Sequence, residues 1–171
     1  METMILDATC GSKKIYQGWN NCDIDSWIGI DIRKGDYSFK FESNWAKTEV
    51  IIKPTILTDL KSLPFRNKIF NAIIFDPPYS TIHWQWYELK YGKAWKKPEV
   101  VKSLFTANIE FSRVLIDGGI LLLKTMPKEF NLFKELLTNF KLILPIFTHL
   151  YKQKQSLEIR EGALWTVGYK K

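Results

Sequence analysis

Cysteine, histidine and long apolar runs are all scarce in this sequence. Its 171 residues include two cysteines, Cys10 and Cys22, and two histidines, His83 and His149, which form no CxxC or Cys/His cluster. This scarcity argues against a disulfide framework and a zinc site, so we expect no metal and a reducing, cytoplasmic setting. The N-terminus METMILD lacks the basic start of a signal peptide, and no apolar run approaches about 18 residues, so no membrane span is predicted.

The composition predicts one globular domain with a polyanionic partner. No repeat, low-complexity tract or linker divides the chain, so residues 1–171 are expected to form a single domain. Lys and Arg number 25 against 18 Asp and Glu, a net charge of +7 that favours nucleic acid, although a Lys-rich surface also serves solubility. The 7 Trp, 7 Tyr and 11 Phe exceed what a core of this size needs, and aromatic rings can stack on bases.

Four apolar runs, at 4–7, 27–32, 50–57 and 69–75, each bring an aspartate to the C-terminal end of a predicted strand. These aspartates are Asp7, Asp31, Asp59 and Asp76. Pro54, inside the third run, predicts an edge position or a break. In an open parallel sheet such ends lie on one side, where ligands bind. One aspartate could be a turn or a helix cap, but four together indicate a binding edge.

The second half of the chain predicts alternating helices and strands. A helix is expected at about 99–115, a turn at 117–119, a strand at 120–124 and a helix at 128–140. Segments 142–151 and 163–169 are expected to form a closing β-hairpin. The apolar positions of the first helix are Val100, Leu104, Ala107, Phe111 and Val114.

The first loop, LDATCGS, predicts a cofactor that has no phosphates. It contains one glycine, Gly11, followed by Lys13 and Lys14, so its similarity to the dinucleotide fingerprint is weak and a hydride-transfer enzyme is disfavoured. Asp31 stands where doubly wound folds place the acid that accepts from ribose hydroxyls. Asp59 could accept from the amine of an adenine, although a turn or cap is an equal alternative for each acid.

The run FDPPYS, residues 75–80, predicts an acceptor site for an amino group. An amine on a nucleobase is a poor nucleophile because its lone pair is delocalised, so a catalyst must orient its N–H groups and hold the nitrogen towards an electrophile. Asp76 and the Pro77 carbonyl can each accept one N–H, Pro78 stiffens the turn, and Tyr79 offers a flat face to a flipped base. The plain alternative is a rigid turn that ends a strand.

These motifs resemble a known family. The order ILDATCGS, DIR, DLKSLPF, FDPPY, KYG, RVLIDGG and WTV is similar to class I S-adenosylmethionine-dependent methyltransferases of the DPPY amino-methyltransferase type. More narrowly, it resembles short DNA adenine N6-methyltransferases of phages and archaeal viruses. The resemblance spans nearly the whole chain and implies an α/β, Rossmann-like, doubly wound and mostly parallel seven-stranded sheet with a C-terminal antiparallel hairpin.

The resemblance also implies residue roles. The methionine part of S-adenosylmethionine would lie along the first loop, the ribose at Asp31 and Ile32, the adenine at Asp59 and Leu60, and the target base at the DPPY motif. The first-loop residues are Asp7, Ala8, Thr9, Cys10 and Gly11, and those of the motif are Asp76, Pro77, Pro78 and Tyr79. The chain lacks the helix that often precedes the first strand, so we expect a second copy, a partner subunit or residues 80–98 to cover the methionine end.

Residues 80–98 are predicted to be a loop that faces the target. Lysines there would contact phosphates, and aromatic rings would contact bases. These residues are Trp84, Trp86, Lys90, Tyr91, Lys93, Lys96 and Lys97. A surface loop without a ligand is the alternative. Lys124, at the end of the fifth predicted strand, lies near the same edge or is simply a solvated strand end.

Three functions remain open from the sequence. The first is methyl transfer to adenine N6 in DNA, and the second is transfer to adenine N6 or guanine N2 in RNA, because the motif alone does not separate them. The third is a methyltransferase-like subunit that binds nucleic acid without catalysis.

Overall fold

The structure is a computed structural model that describes residues 3–11, 26–39, 48–77, 97–143, 146–147, 150–152, 159–161 and 164–171. The strands are β1 (Ile5–Asp7), β2 (Trp27–Asp31), β3 (Gly35–Phe39), β4 (Thr48–Ile52), β5 (Ile56–Leu57), β6 (Phe70–Phe75), β7 (Leu115–Thr125), β8 (Phe140–Leu142), β9 (Ile146–Phe147), β10 (Leu150–Lys152), β11 (Ile159–Glu161) and β12 (Leu164–Lys170). The helices are α1 (Lys97–Val114) and α2 (Phe130–Leu136), the second preceded by a 3-10 turn at Pro127–Glu129.

One large sheet organises the described residues. Its strand order is β5-β2-β1-β6-β7-β12-β8, and β9 pairs with β12 as an eighth strand. Strands β5, β2, β1, β6 and β7 run parallel, whereas β12 is antiparallel to both of its neighbours, β7 and β8. This arrangement confirms the predicted Rossmann-like α/β fold with its mostly parallel sheet and C-terminal antiparallel strands.

The third apolar run divides into two strands at Pro54. Strand β4 pairs with β3 in a separate two-stranded sheet, while β5 joins the edge of the large sheet beside β2. Proline has no N–H to continue a ladder. Pairing resumes after it, where the Thr55 N–H donates to the Gly29 carbonyl at 2.8 Å. The sequence prediction of a break was correct, but β3 was not predicted.

Two boundaries in the second half differ from the sequence predictions. The turn expected at 117–119 is an irregularity within β7, because Leu115 pairs with Phe70 and Ile120 already pairs with Ala72. The helix expected at 128–140 ends at Leu136, and β8 begins at Phe140. Both Leu137 and Phe140 are buried in the core, so packing rather than helical periodicity decides the path of this segment.

Helix α1 covers the sheet with its predicted apolar face. All five predicted positions are buried, and Phe111 packs edge-on against Phe75 of β6 with ring centroids 5.1 Å apart. The ring of Phe133 on α2 also lies near Phe75, with centroids 6.4 Å apart. The core therefore holds β6 in place up to its last residue, immediately before Asp76.

A charged pair on α1 ties down the loop between β5 and β6. Glu110 accepts from the Leu63 N–H at 2.8 Å, and Arg113 donates to Glu110 at 2.7 and 2.9 Å. Arg113 also donates to the carbonyls of Leu63 and Phe65 at 3.0 and 2.7 Å. Hydrogen bonding from Arg113 lowers the pKa of Glu110 despite its partial burial. The loop that contains Asp59 is thus fastened to α1, whose inner face is buried.

Replacing Glu110 with glutamine should lower the free energy of unfolding at pH 7 by about 1 to 2 kcal/mol, because charged hydrogen bonds are lost. Since folding lowers the pKa of this carboxyl, its stabilisation is present above the ordinary value of 4.5 and is lost as the pH falls below it. Urea denaturation at both pH values should show a smaller difference in unfolding free energy between the wild type and Glu110→Gln at pH 3.5 than at pH 7. Glu135→Gln, at an exposed site on α2, is the control and should change little. An equal loss at both pH values would contradict the role of the charge.

Candidate functional site

One row of residues crosses the carboxyl edge of the sheet. Leu57 pairs with Asp31, and Lys124 pairs with Trp165. The registers of β1 with β2 and of β6 with β7 extend this row through Thr9 and Asp76. Strands lie about 4.8 Å apart, so Asp31 and Asp76, two strands from each other, are roughly 10 Å apart along the edge.

The row spans the place where the chain order reverses. From β1 the sheet continues through β2 and β5 on one side and through β6 and β7 on the other. Open α/β sheets bind ligands in the crevice at such a point. Asp7 ends β1 and Asp76 follows β6, so these carboxylates flank the crevice. The four aspartates of the sequence prediction do lie at one edge.

The first loop is held against both neighbouring strands. The Ala8 N–H donates to Ile74 at 2.9 Å and the Cys10 N–H donates to Ile30 at 3.0 Å. Asp7 is buried and accepts from the Thr9 N–H at 3.0 Å. Gly11 follows at φ +47°, a backbone conformation that favours glycine. The loop therefore has a fixed path at the crevice, with its one glycine at the position that requires it.

Asp31 is buried and paired with an arginine that the sequence reasoning did not select. The Arg33 backbone N–H and Nε donate to Oδ1 at 2.9 and 3.0 Å, and a terminal guanidinium nitrogen donates to Oδ2 at 3.0 Å. Both carboxylate oxygens thus already have donors. A hydroxyl that donates to Asp31 must therefore either share a carboxylate oxygen with the guanidinium or displace the guanidinium. Only the two-residue spacing in DIR hints at this contact.

If Asp31 accepts from the ribose of S-adenosylmethionine, as the sequence predicts, replacing Arg33 with alanine should strengthen binding of that ligand about three- to tenfold, because the guanidinium would compete with the ribose hydroxyls for the same carboxylate oxygens. Calorimetric titration of the wild type and the variant measures the change. Lys34→Ala, which removes an exposed neighbouring charge, is the control for a general electrostatic effect. Weaker binding by Arg33→Ala would show that the arginine assists the ligand instead of competing with it.

The predicted adenine residues occupy two different environments. Asp59 is partly exposed and accepts from the Lys61 N–H at 2.9 Å, with the Lys61 ammonium 3.1 Å from its other oxygen. Leu60 is 9% exposed and its side chain packs in the core. Two large apolar residues beside Asp31 are instead open to solvent, Ile32 at 66% and Leu57 at 58%. Leu57 was not selected from the sequence, although its place at a strand end was visible there.

Asp76 is held by residues in or just after the two strands that neighbour β6, namely β1 and β7. Its backbone N–H donates to the Thr9 hydroxyl of the first loop at 2.8 Å. Its carboxylate Oδ2 is 2.6 Å from the Lys124 ammonium at the end of β7. Lys124 Nζ also lies 5.9 Å from the centre of the Trp165 ring. Lys124 is therefore a member of the site and not a solvated strand end, and Trp165 is an addition to the predicted residues.

Several predicted site residues lie outside the described residues. Pro77 is described and is buried, but Pro78 and Tyr79 are outside, as are the target-loop residues Trp84, Trp86, Lys90, Tyr91, Lys93 and Lys96. Lys97, assigned to that loop from the sequence, is the first residue of α1. The expected target loop stays a prediction.

Neither a membrane-spanning helix nor a metal-binding cluster is found in the described part of the chain. Neither of its helices is both long and apolar enough to cross a membrane. Among the same residues, no group of three or more His, Cys, Asp or Glu side chains is arranged to hold a metal ion.

Several solved structures that share this fold are described as methyltransferases, and some of them as S-adenosylmethionine-dependent. The chain is similar to a TehB-like enzyme of this class from Corynebacterium glutamicum, with a TM-score of 0.56 and 15% identity over 99% of this chain and 81% of that one. It is also similar to the N-methyltransferase NodS from Bradyrhizobium japonicum, with a TM-score of 0.54 and 11% identity over 98% and 85% of the two chains.

A third similar structure is a putative rRNA-methylase from Clostridium thermocellum, with a TM-score of 0.54 and 14% identity over 99% of this chain and 89% of that one. No family model and no curated protein matches the sequence. At these identities the similarity establishes the fold, and the substrate has to be argued from the site.

Proposed function

We propose that this chain binds S-adenosylmethionine at the carboxyl edge of β1, β2 and β5. The methionine part would lie along residues 7–11, the ribose at Asp31, and the adenine between the exposed side chains of Ile32 and Leu57, near Asp59. This ligand has no phosphates, which suits a loop with one glycine in place of a phosphate cradle. Two structures that share the fold and are described as S-adenosylmethionine-dependent methyltransferases support this choice of cofactor.

The methyl acceptor would be an exocyclic amine of a nucleobase. S-adenosylmethionine supplies an electrophilic methyl on sulfur: the N–C bond forms as the C–S bond breaks, the electron pair stays on sulfur, and one proton leaves the nitrogen for solvent. Asp76 and the Pro77 carbonyl would accept the two N–H groups and turn the nitrogen lone pair towards the methyl carbon. The observation that carries this proposal is the fixed position of Asp76 beside the first loop, set by Thr9 at 2.8 Å.

Adenine N6 in DNA is the first candidate acceptor. The net charge of +7 suits a polyanion. Residues 80–98 would contact the target, with their aromatic side chains receiving a flipped base. The similarity of the motif order to the short enzymes of phages and archaeal viruses supports the same acceptor.

RNA is the second candidate acceptor. One structure that shares the fold is described as a putative rRNA-methylase, and the motif DPPY suits guanine N2 as well as adenine N6. The same carboxylate and carbonyl acceptors would bind either amine. The two candidates therefore differ in the nucleic acid that is bound and not in the groups that orient the amine.

Transfer of a labelled methyl group tests these proposals. The chain is incubated with methyl-labelled S-adenosylmethionine and unmethylated duplex DNA, single-stranded DNA or an rRNA transcript, and the products are digested and identified as nucleosides. We expect label in N6-methyldeoxyadenosine, and none with DNA whose target adenines are already methylated. Label found only in methylguanosine or only in RNA would overturn the DNA adenine assignment. Cofactor binding without transfer to any acceptor would favour the non-catalytic subunit.

A further inference from the structure

The contact between Lys124 and Asp76 joins two strands at the proposed acceptor site. The Lys124 ammonium lies 2.6 Å from Oδ2 of Asp76, across 48 residues of sequence. The two residues are adjacent because Phe75 pairs with Leu123, which places the next residues of β6 and β7 side by side. The pair is therefore a product of the sheet register and not of a local turn.

This pair differs from an ordinary surface ion pair. The side chains of Lys124 and Asp76 are 24% and 18% exposed, whereas Lys68 and Asp117, also 2.6 Å apart, are 58% and 73% exposed. Exposed pairs contribute little because water and salt screen them, while a partly buried carboxylate requires a partner. The Lys124–Asp76 pair is thus the more consequential of the two for local structure.

The pair also fixes the direction of the Asp76 carboxylate. The last torsion of an aspartate side chain is broad, so packing alone does not set the plane of its oxygens. Thr9 holds the Asp76 backbone at 2.8 Å, and Lys124 holds Oδ2. The pairing of Lys124 with Trp165 on β12 places the lysine against a third strand. Together these contacts restrict how the carboxylate can present itself to an amine.

We propose that Lys124 is a positioning residue for methyl transfer, which fixes the Asp76 carboxylate so that it accepts an N–H of the target amine in the reactive geometry. This inference rests on the proposed function. Lys124 acts through Asp76 and does not itself contact the methyl group. Misplacement of a reacting group by about 1 Å can lower a rate about 100-fold, so loss of the lysine should appear in the chemical step.

The kinetic test compares three variants in the labelled transfer assay. Lys124→Met should lower kcat about 10- to 100-fold while KM for S-adenosylmethionine changes less than about twofold. Lys124→Arg keeps a cationic donor for Oδ2 and should recover kcat to within about fivefold of the wild type. Lys68→Met, which breaks the matched exposed pair at the opposite edge of the sheet, should leave kcat unchanged. An unchanged kcat in Lys124→Met, or an equal loss in Lys68→Met, would overturn the proposal.

A second measurement separates this proposal from the proposed function. Urea denaturation of the wild type, Asp76→Asn, Lys124→Met and the double variant gives the coupling between the two side chains without any assay of activity. We expect coupling of at least about fivefold in the unfolding equilibrium constant. Additive effects would overturn the role of Lys124 even in an active enzyme. A wild type that transfers no methyl group but shows the coupling would refute the proposed function and, with it, the positioning role in transfer, while leaving the structural pair intact.

Discussion

Replacing Asp76 with alanine should abolish methyl transfer and leave cofactor binding nearly unchanged. The carboxylate is the group that would accept an N–H of the amine, and its loss removes both the acceptor and the partner of Lys124. Loss of one such oriented group typically lowers a rate by about 100- to 10,000-fold, and we expect at least about 1,000-fold here. Single-turnover transfer of labelled methyl to DNA measures the effect.

Two controls make the Asp76 result specific. Asp117→Ala removes another carboxylate paired with lysine, at an exposed position of β7 far from the crevice, and should transfer at the wild-type rate. Titration of Asp76→Ala with S-adenosylmethionine should give a Kd within about threefold of the wild type, since a threefold change is under about 0.7 kcal/mol. Retained activity in Asp76→Ala would contradict the acceptor role, and loss of cofactor binding would place Asp76 in the cofactor site instead.

Replacing Asp31 with alanine should have the largest effect on cofactor binding. A carboxylate that accepts from two ribose hydroxyls makes two charged hydrogen bonds of about 1.5 to 3 kcal/mol each, so we expect at least about 100-fold weaker binding. Calorimetric titration with S-adenosylmethionine measures the loss. Affinity within about threefold of the wild type would remove Asp31 from the ribose site.

The Asp31 result needs its own control, because the Asp31→Ala change also removes the carboxylate that pairs with Arg33. The double variant Asp31→Ala with Arg33→Ala should bind as weakly as Asp31→Ala alone. Recovery of affinity in the double variant would show that the freed guanidinium, and not the missing carboxylate, causes the loss. The same titration distinguishes the two explanations.

The sequence predicted the elements of the sheet better than their partners. The strands that deliver Asp7, Asp31 and Asp76, and the buried face of α1, follow from apolar runs and helical spacing because these patterns report burial. The placement of β12 between β7 and β8 cannot be read from such patterns, because pairing partners distant in sequence leave no mark on local periodicity. The β3–β4 pair escaped prediction for a different reason, because β3, Gly35–Phe39, contains no apolar run and was not predicted as a strand.

At the site, likewise, the sequence predicted residue types better than side-chain contacts. Four aspartates after four runs predicted a binding edge, and the parallel strands place them on one edge. The contacts of Arg33 with Asp31 and of Lys124 with Asp76 depend on side-chain geometry and on the register of β6 with β7. Leu60, expected beside the adenine, has its side chain in the core, because apolar character alone does not separate a ligand contact from packing.

Calorimetric titration of the wild-type chain with S-adenosylmethionine tests whether the chain binds a methyl donor, on which the proposed transfer and the roles of Asp76 and Lys124 all depend. We expect one molecule bound per chain with a Kd between about 1 and 100 μM, that is about −8 to −5.5 kcal/mol. If the titration shows no binding at 1 mM ligand, the binding free energy is weaker than about −4 kcal/mol, and the proposed S-adenosylmethionine site is wrong.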